Sequence, residues 1–216
     1  KNEAIEVLIE HSAPRRAFFL MVILSVAMAV LGIYLESVVV LIGSMLIAPV
    51  LYPVLTIALG IVISDVSLIR RSANTLGRSI FYAIVISGVV GLFLPLDTPT
   101  IPGIESDSII VVYAMVAMVS GIAAAFAMAK PSMNESFPGV AVSVSLVPPL
   151  AFVGVGIAEL DWSLVQTYTV IFVVNVIGII FTSMVVFLLL NLSTKKEVAE
   201  HEIEKTNKEI EAEKSE

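Results

Sequence analysis

The chain has 216 residues, of which 58% are hydrophobic and 14% are charged, and its formal net charge is −7 at pH 7. A mean hydropathy of +1.01 excludes a water-soluble domain of this size, because so apolar a surface would aggregate in water. The chain has no cysteine, which excludes disulfides, thiolate metal sites and thiol nucleophiles.

The N-terminal segment, residues 1–14, carries Ile5, Leu8 and Ile9 at helical spacing. This pattern predicts a short interfacial or connecting helix on the cytoplasmic side. Because the first residue is Lys1 rather than methionine, we expect the chain to begin partway into a longer one.

Six uncharged stretches are long enough to cross a hydrocarbon core of roughly 30 Å. They predict an all-α integral membrane domain over residues 15–192, with six transmembrane helices. The stretches run from Ala17 to Leu35, Ser37 to Ser64, Ser79 to Leu96, Ile109 to Ala129, Phe137 to Ala158 and Trp162 to Leu190.

The distribution of charge predicts the orientation of these spans, because Lys and Arg collect in short cytoplasmic loops. If all six spans cross, every Lys and Arg falls on one side and the loops on the other side hold only acidic residues. Both termini are therefore expected in the cytoplasm, and the protein in the cell membrane. The basic residues that decide this are Arg15, Arg16, Arg70, Arg71, Arg78, Lys130, Lys195 and Lys196.

Prolines interrupt the second and fifth spans near their middles. The second span contains Pro49 and Pro53, and the fifth contains Pro148 and Pro149. Proline removes a donor and clashes with the preceding turn, so we expect both helices to be broken there. At bilayer depth the freed carbonyl groups need partners inside the protein or in a water-filled cavity.

The two breaks also predict an internal repeat. Setting Pro49 on Pro148 superposes Ser44 on Ser143, and each break then lies in the middle span of a three-span half. Because three is odd, the second half enters the membrane from the opposite side, which predicts two inverted halves over about residues 15–96 and 107–192. A kink that serves only helix packing is the alternative interpretation.

The spans contain no Asp, Glu, Lys, Arg or His, which disfavours a proton pump or proton-coupled carrier. Neutral polar residues remain, and Ser44, Ser143, Ser145 and Asn175 are candidates for lining a pathway; bonding between helices is the alternative for Asn175. The sequence has no metal-binding spacing, phosphate loop, nucleophile elbow or basic patch, so we predict neither an enzyme, a cofactor, a metal site nor nucleic-acid binding.

Small residues predict close helix contacts in two later spans. Gly121 and Ala125 lie in the fourth span, and Gly154 and Gly156 in the fifth. Small residues allow helix backbones to approach, and such surfaces favour a homo-oligomer. Asp65 is predicted to cap the following helix or to form a local ion pair. Residues 193–216, which hold eight of the nineteen acidic residues, are predicted to form a charged, solvated helix rather than a coiled coil.

The motifs of the spans resemble those of the prokaryotic membrane proteins known as the domain of unknown function 389 family. The resemblance covers roughly residues 17–190 and implies an archaeal or bacterial membrane protein without a settled activity. It rests on Ile42 to Pro49, Ser120 to Ala123, Leu146 to Pro149 with Val153 and Gly154, and Asn175.

The predicted architecture is also similar to that of the formate/nitrite channels, which are pentamers, although no residue motif of that family is present. From the paired breaks without buried charge we expect a channel or facilitator for a small anion or neutral polar solute. A non-conducting scaffold or sensor and a Na⁺-coupled carrier are the alternatives.

Overall fold

The computed structural model describes residues 2–94, 107–129, 146–192 and 196–215, and every regular element of this part of the chain is an α-helix. The described helices are α1 (Asn2–His11), α2 (Arg16–Tyr34), α3 (Val38–Ile47), α4 (Leu51–Val62), α5 (Val66–Phe93), α6 (Asp107–Ala129), α7 (Val147–Ala158), α8 (Trp162–Leu189) and α9 (Lys196–Ser215).

Four of these helices, α2, α5, α6 and α8, are long and apolar enough to cross a membrane. The bent pair of α3 and α4 makes a fifth candidate span if it is counted as one. With only 12 residues, α7 is shorter than a full span, and residues 130–145, which precede it, lie outside the described residues. The described chain is therefore an all-helical protein with four to five candidate membrane spans.

The helix of the third predicted span begins well before its uncharged stretch. We expected a span from Ser79, but α5 starts at Val66 and continues without a break to Phe93. The carboxylate of Asp65 accepts a hydrogen bond of 3.1 Å from the Leu68 N–H, which confirms the predicted cap and explains the early start. Arg70, Arg71 and Arg78 consequently lie on a helix rather than in a loop.

Three helix-to-helix turns share one local structure. In each, a glycine is followed five residues later by a capping Ser or Asp, whose N–H bonds back to the glycine carbonyl at 2.9 Å, as in a Schellman motif. The residue before the cap has a left-handed backbone, with φ between 50° and 58°. The turns are Gly32–Ser37, Gly60–Asp65 and Gly156–Asp161.

The glycine of each turn also lets the next helix cross closely. A Cβ added to Gly60 would lie 2.8 Å from Cγ1 of Ile69, and one added to Gly32 would lie 3.1 Å from the backbone nitrogen of Leu41. At Gly156 the same added atom would meet Cγ2 of Val165 at 3.0 Å. In all three turns the neighbour is nine positions after the glycine, so the three turns place successive helices alike.

The central element of the described bundle is α7. Every residue from Val147 to Gly156 is buried, and α7 packs against α2, α3, α5 and α8. Since a helix buried on all sides cannot face solvent or lipid in the monomer, α7 forms the core around which the longer helices lie. The helix α8 additionally packs against α4 and α6.

The two ends of the chain pack together. Helix α1 contacts α4 and α9, and Ile5, Leu8 and Ile9 are fully buried. The predicted helical tail is present as α9, but it is not merely solvated, because one face of it is buried. The sequence interpretation of a solvated helix missed this face, which includes Ala199, Ile203, Thr206 and Ile210.

Candidate functional site

The first broken span is bent at its proline, as the sequence predicted. Helices α3 and α4 meet at 50°, and Ala48 leaves the helical conformation with ψ of 119°. Pro49 lies in the break, and its carbonyl accepts a hydrogen bond of 3.3 Å from the N–H of Tyr52. Pro53 lies in the first turn of α4, where a missing N–H costs no intrahelical bond.

A carbonyl near this break is satisfied from a neighbouring helix. The hydroxyl of Ser25 on α2 donates to the carbonyl oxygen of Ser44 at 2.7 Å. The hydroxyl of Ser44, a predicted pathway residue, is itself buried and donates to the carbonyl of Leu41 at 2.7 Å. In this structure Ser44 therefore joins α3 to α2.

The described part of the fifth predicted span begins at Leu146. Pro148 and Pro149 occupy the first turn of α7 and are buried, at positions where proline fits because the first N–H groups of a helix have no intrahelical partner. Ser143 and Ser145, predicted to line the pathway, lie outside the described residues.

The helix bounds align the second and fifth predicted spans differently from the alignment that the sequence predicted. Hairpin α4–α5 and hairpin α7–α8 consist of helices of the same lengths, 12 and 28 residues. Each helix of the first hairpin begins and ends 96 positions before its counterpart in the second. The first residue, Leu51, thus corresponds to Val147, and the last, Phe93, to Leu189. Pro53 therefore corresponds to Pro149, whereas the sequence alignment matched Pro49 with Pro148.

The same register relates the buried polar residues of the two long helices. Asn175 of α8 corresponds to Ser79 of α5, and Ser183 corresponds to Ser87; all four side chains are buried. The hydroxyl of Ser87 lies 3.5 Å from the carbonyl oxygen of Leu150 on α7, and that of Ser183 donates to the carbonyl of Gly121 on α6 at 3.2 Å. Ser183 therefore bonds a neighbouring helix, whereas the Ser87 hydroxyl donates at 2.6 Å to the Ala83 carbonyl of its own helix and only approaches α7.

The predicted packing residues lie at close helix contacts. A Cβ added to Gly121 would lie 2.8 Å from Cα of Ile179 on α8, and one added to Gly154 would lie 2.6 Å from the carbonyl oxygen of Ile84 on α5. Ala125 is fully buried. These positions have room only for small residues.

Sequence reasoning missed a basic cavity on α5. Two cavities lie along the first half of this helix and around Phe81, with Arg70, Arg71 and Arg78 among their lining residues. The sequence analysis used these arginines only as topology markers. Arg78 follows Arg71 and Arg70 by seven and eight residues, about two helical turns, and this spacing was the available signal.

Comparison with known proteins identifies the family but not an activity. The family model described as "Domain of unknown function (DUF389)" matches residues 45–181. The chain is 33% identical over 177 residues to an uncharacterized protein, MJ0678, of Methanocaldococcus jannaschii, covering 78% of this chain and 52% of the relative. This chain thus spans about half the length of that relative. No solved structure matches. The chain belongs to the domain of unknown function 389 family.

Proposed function

We propose that the chain is a passive membrane facilitator for a small anion or a neutral polar solute, with six spans in two inverted halves. The observation that carries the proposal is the pair of half-length helices α4 and α7. Each has 12 residues, about 18 Å at 1.5 Å per residue, which is short of a roughly 30 Å hydrocarbon core. Each has a buried proline in its first turn and ends in the same type of turn.

Contacts of α5 support opposite directions for these half-helices. Helix α4 is antiparallel to α5, because the short turn at Ile63 to Asp65 joins them. Helix α7 is parallel to α5: Ser87 lies near Leu150, and a Cβ added to Gly91 would lie 3.5 Å from Cβ of Ala158. The two half-helices therefore run in opposite senses, as an inverted repeat requires.

The electrostatics of helix ends favours an anion or the acceptor side of a polar solute. The N-terminus of a helix carries a partial positive charge and unpaired N–H groups. Neither α4 nor α7 has a side-chain cap at its N-terminus. Because Pro53, Pro148 and Pro149 carry no N–H and the N–H of Tyr52 bonds the Pro49 carbonyl, these ends offer a solute oxygen chiefly the positive end of the helix dipole. The six uncharged stretches of the sequence contain no Asp, Glu, Lys, Arg or His, which favours passive movement over proton coupling.

Solute flux tests the proposal directly. Proteoliposomes would be assayed with a panel of small anions and polyols, with and without a Na⁺ gradient. We expect flux of at least one solute without Na⁺, altered by Asn175→Ala and by Pro149→Ala. Gly77→Ala is the matched control, because a Cβ there meets nothing within 4 Å. Absence of flux for every solute would overturn the proposal, and flux only with Na⁺ would indicate a carrier.

A non-conducting scaffold or sensor is the second candidate, and the packing around α4 favours it. The hydroxyl of Thr56 bonds the carbonyl of Leu8 on α1 at 3.1 Å, and the rings of His11 and Tyr52 stack at 4.8 Å. The start of α4 is thus covered by α1, which in turn contacts α9. A flux-silent protein whose α9 captures a soluble partner would support this function instead.

A further inference from the structure

Three arginines of α5 share one cavity of about 520 Å³. Arg70, Arg71 and Arg78 line it together with Asn74 and Thr75, and these positions recur at helical spacing on one face. Pro14, between α1 and α2, and Ile203 and Asn207 of α9 also contribute to the wall. No carboxylate is among the described lining residues, so the cavity is cationic.

The guanidinium group of Arg71 is the central feature of this cavity. Its three nitrogens are all buried, and none makes a hydrogen bond to a residue that the structure describes. A guanidinium group has five N–H donors and stays charged at any physiological pH. A buried cation in this state is stabilised by an anion with several acceptor oxygens, and planar guanidinium matches phosphate oxygens in pairs.

A second cavity, of about 390 Å³, continues from the first. Asn74 and Arg78 line both cavities, and the second is otherwise lined by small and aromatic side chains, among them Gly77, Phe81 and Tyr82. The first cavity therefore has a charged lining and the adjoining second cavity a more apolar one.

The exposed face of α5 changes character at the same place. Up to Arg78 it presents every exposed polar residue of the helix, together with Val66, Ala73 and Gly77, and from Phe81, which is 63% exposed, it presents only apolar residues as far as Phe93. Such a change along one helix marks the passage from the polar headgroup layer to hydrocarbon. The basic cavity then lies at headgroup level, and the second cavity lies on the hydrocarbon side.

We propose that these two cavities form one binding site for an anionic phospholipid. The phosphate group is held by Arg71 with Arg70 and Arg78, and the glycerol and first acyl carbons lie past Gly77 against Phe81 and Tyr82. Free phosphate shares the headgroup chemistry, but it would use only the basic cavity. The site does not depend on whether the protein conducts a solute.

Lipid binding by the purified chain in neutral detergent tests the site. Native mass spectrometry and thermal shift would compare phosphatidylglycerol, phosphatidylcholine and inorganic phosphate. We expect Arg71→Gln to weaken phosphatidylglycerol binding by about 10- to 100-fold, the usual effect of removing a hydrogen-bonded charge. Arg16→Gln is the matched control, since Arg16 is exposed and does not line the cavity; binding should be unchanged.

A second variant separates a lipid from free phosphate. A Cβ added to Gly77 meets nothing within 4 Å, so Gly77→Phe fits while its ring fills the second cavity. We expect it to weaken phosphatidylglycerol binding but not phosphate binding. Should Arg71→Gln fail to fold, Gly77→Phe and Arg78→Gln carry the test.

Two outcomes would overturn the proposal. The first is phosphatidylglycerol binding in Arg71→Gln as strong as in Arg16→Gln. The second is an equal thermal shift with inorganic phosphate and with phosphatidylglycerol, when Gly77→Phe weakens the binding of neither ligand. That result would identify a site for a soluble anion.

Discussion

Asp65 and Asp161 cap the two longest described helices in the same way, 96 positions apart. Each carboxylate accepts a hydrogen bond of 3.1 Å from the backbone N–H three residues later, that of Leu68 for Asp65 and that of Leu164 for Asp161. Each also follows a residue with a left-handed backbone. The two caps therefore position α5 on α4 and α8 on α7 by the same local means.

Removal of either cap should destabilise the protein. We expect Asp65→Ala and Asp161→Ala each to lower the free energy of unfolding by about 1 kcal/mol, because one helix N–H loses its partner. Thermal unfolding in detergent measures the loss. Asp65→Asn and Asp161→Asn keep an acceptor and should be close to wild type; equal losses in the Asn and Ala variants would contradict a capping role.

The bond across the first helix break leads to a second prediction. Ser25→Ala removes the hydroxyl that donates to the Ser44 carbonyl, and with it the hydrogen bond that joins α2 to α3 beside the break. We expect a loss of about 0.5–1.5 kcal/mol in the free energy of unfolding, the usual net contribution of one hydrogen bond, again measured by thermal or denaturant unfolding.

Ser79 provides the matched control for this variant. It is fully buried like Ser25, but its hydroxyl donates to Thr75 of its own helix at 2.8 Å. Serine bonds of this kind add little to a helix, so Ser79→Ala should cost much less than Ser25→Ala. A larger loss for Ser79→Ala would show that the interhelical bond is unimportant.

Glycine substitutions should separate packing positions from open ones. Gly154→Ala forces a Cβ within 2.6 Å of the Ile84 carbonyl oxygen, and overpacking of this kind costs about 1–3 kcal/mol. Gly77→Ala places its Cβ in open space on a helix and should gain about 0.5–1 kcal/mol through helix propensity. Unfolding midpoints that move in the same direction for both variants would refute the close contact of α7 with α5.

The long apolar helices and the break at Pro49 followed from the sequence because they depend on local properties: long uncharged stretches, and prolines that cannot continue a helix. The alignment of the two predicted halves on Pro49 and Pro148 was based on residue type alone, and it differs from the 96-residue offset of the helix bounds. The shared turn, with glycine five residues before a Ser or Asp cap at Gly60 and Gly156, was a better guide to the register.

Two other features required tertiary structure. Thr206 is 1% exposed in α9, although a threonine in a charged segment does not signal burial. The basic cavity needs Pro14 and Ile203, which are distant in sequence, to lie beside α5. Hydrophobic periodicity within one segment carries no information about such contacts.

The docking of α9 on the N-terminal segment leads to the last prediction. Nη2 of Arg15 lies 2.6 Å from Oε2 of Glu209, and both side chains are partly exposed, so the pair stabilises the docked helix by no more than about 1 kcal/mol. Arg15→Glu places two carboxylates together and should increase hydrogen–deuterium exchange along α9, whereas the swap Arg15→Glu with Glu209→Arg should restore protection.

The neighbouring Arg16 supplies the control for net charge. Arg16→Glu makes the same charge change at an exposed position, so it should leave the exchange of α9 near wild type if the local pair with Glu209 matters. Buried contacts of Ile203 and Ile210 would maintain partial protection even in Arg15→Glu, since burial of two such side chains outweighs one exposed ion pair. Equal exchange in Arg15→Glu and Arg16→Glu, without rescue by the swap, would therefore assign docking to the apolar face alone.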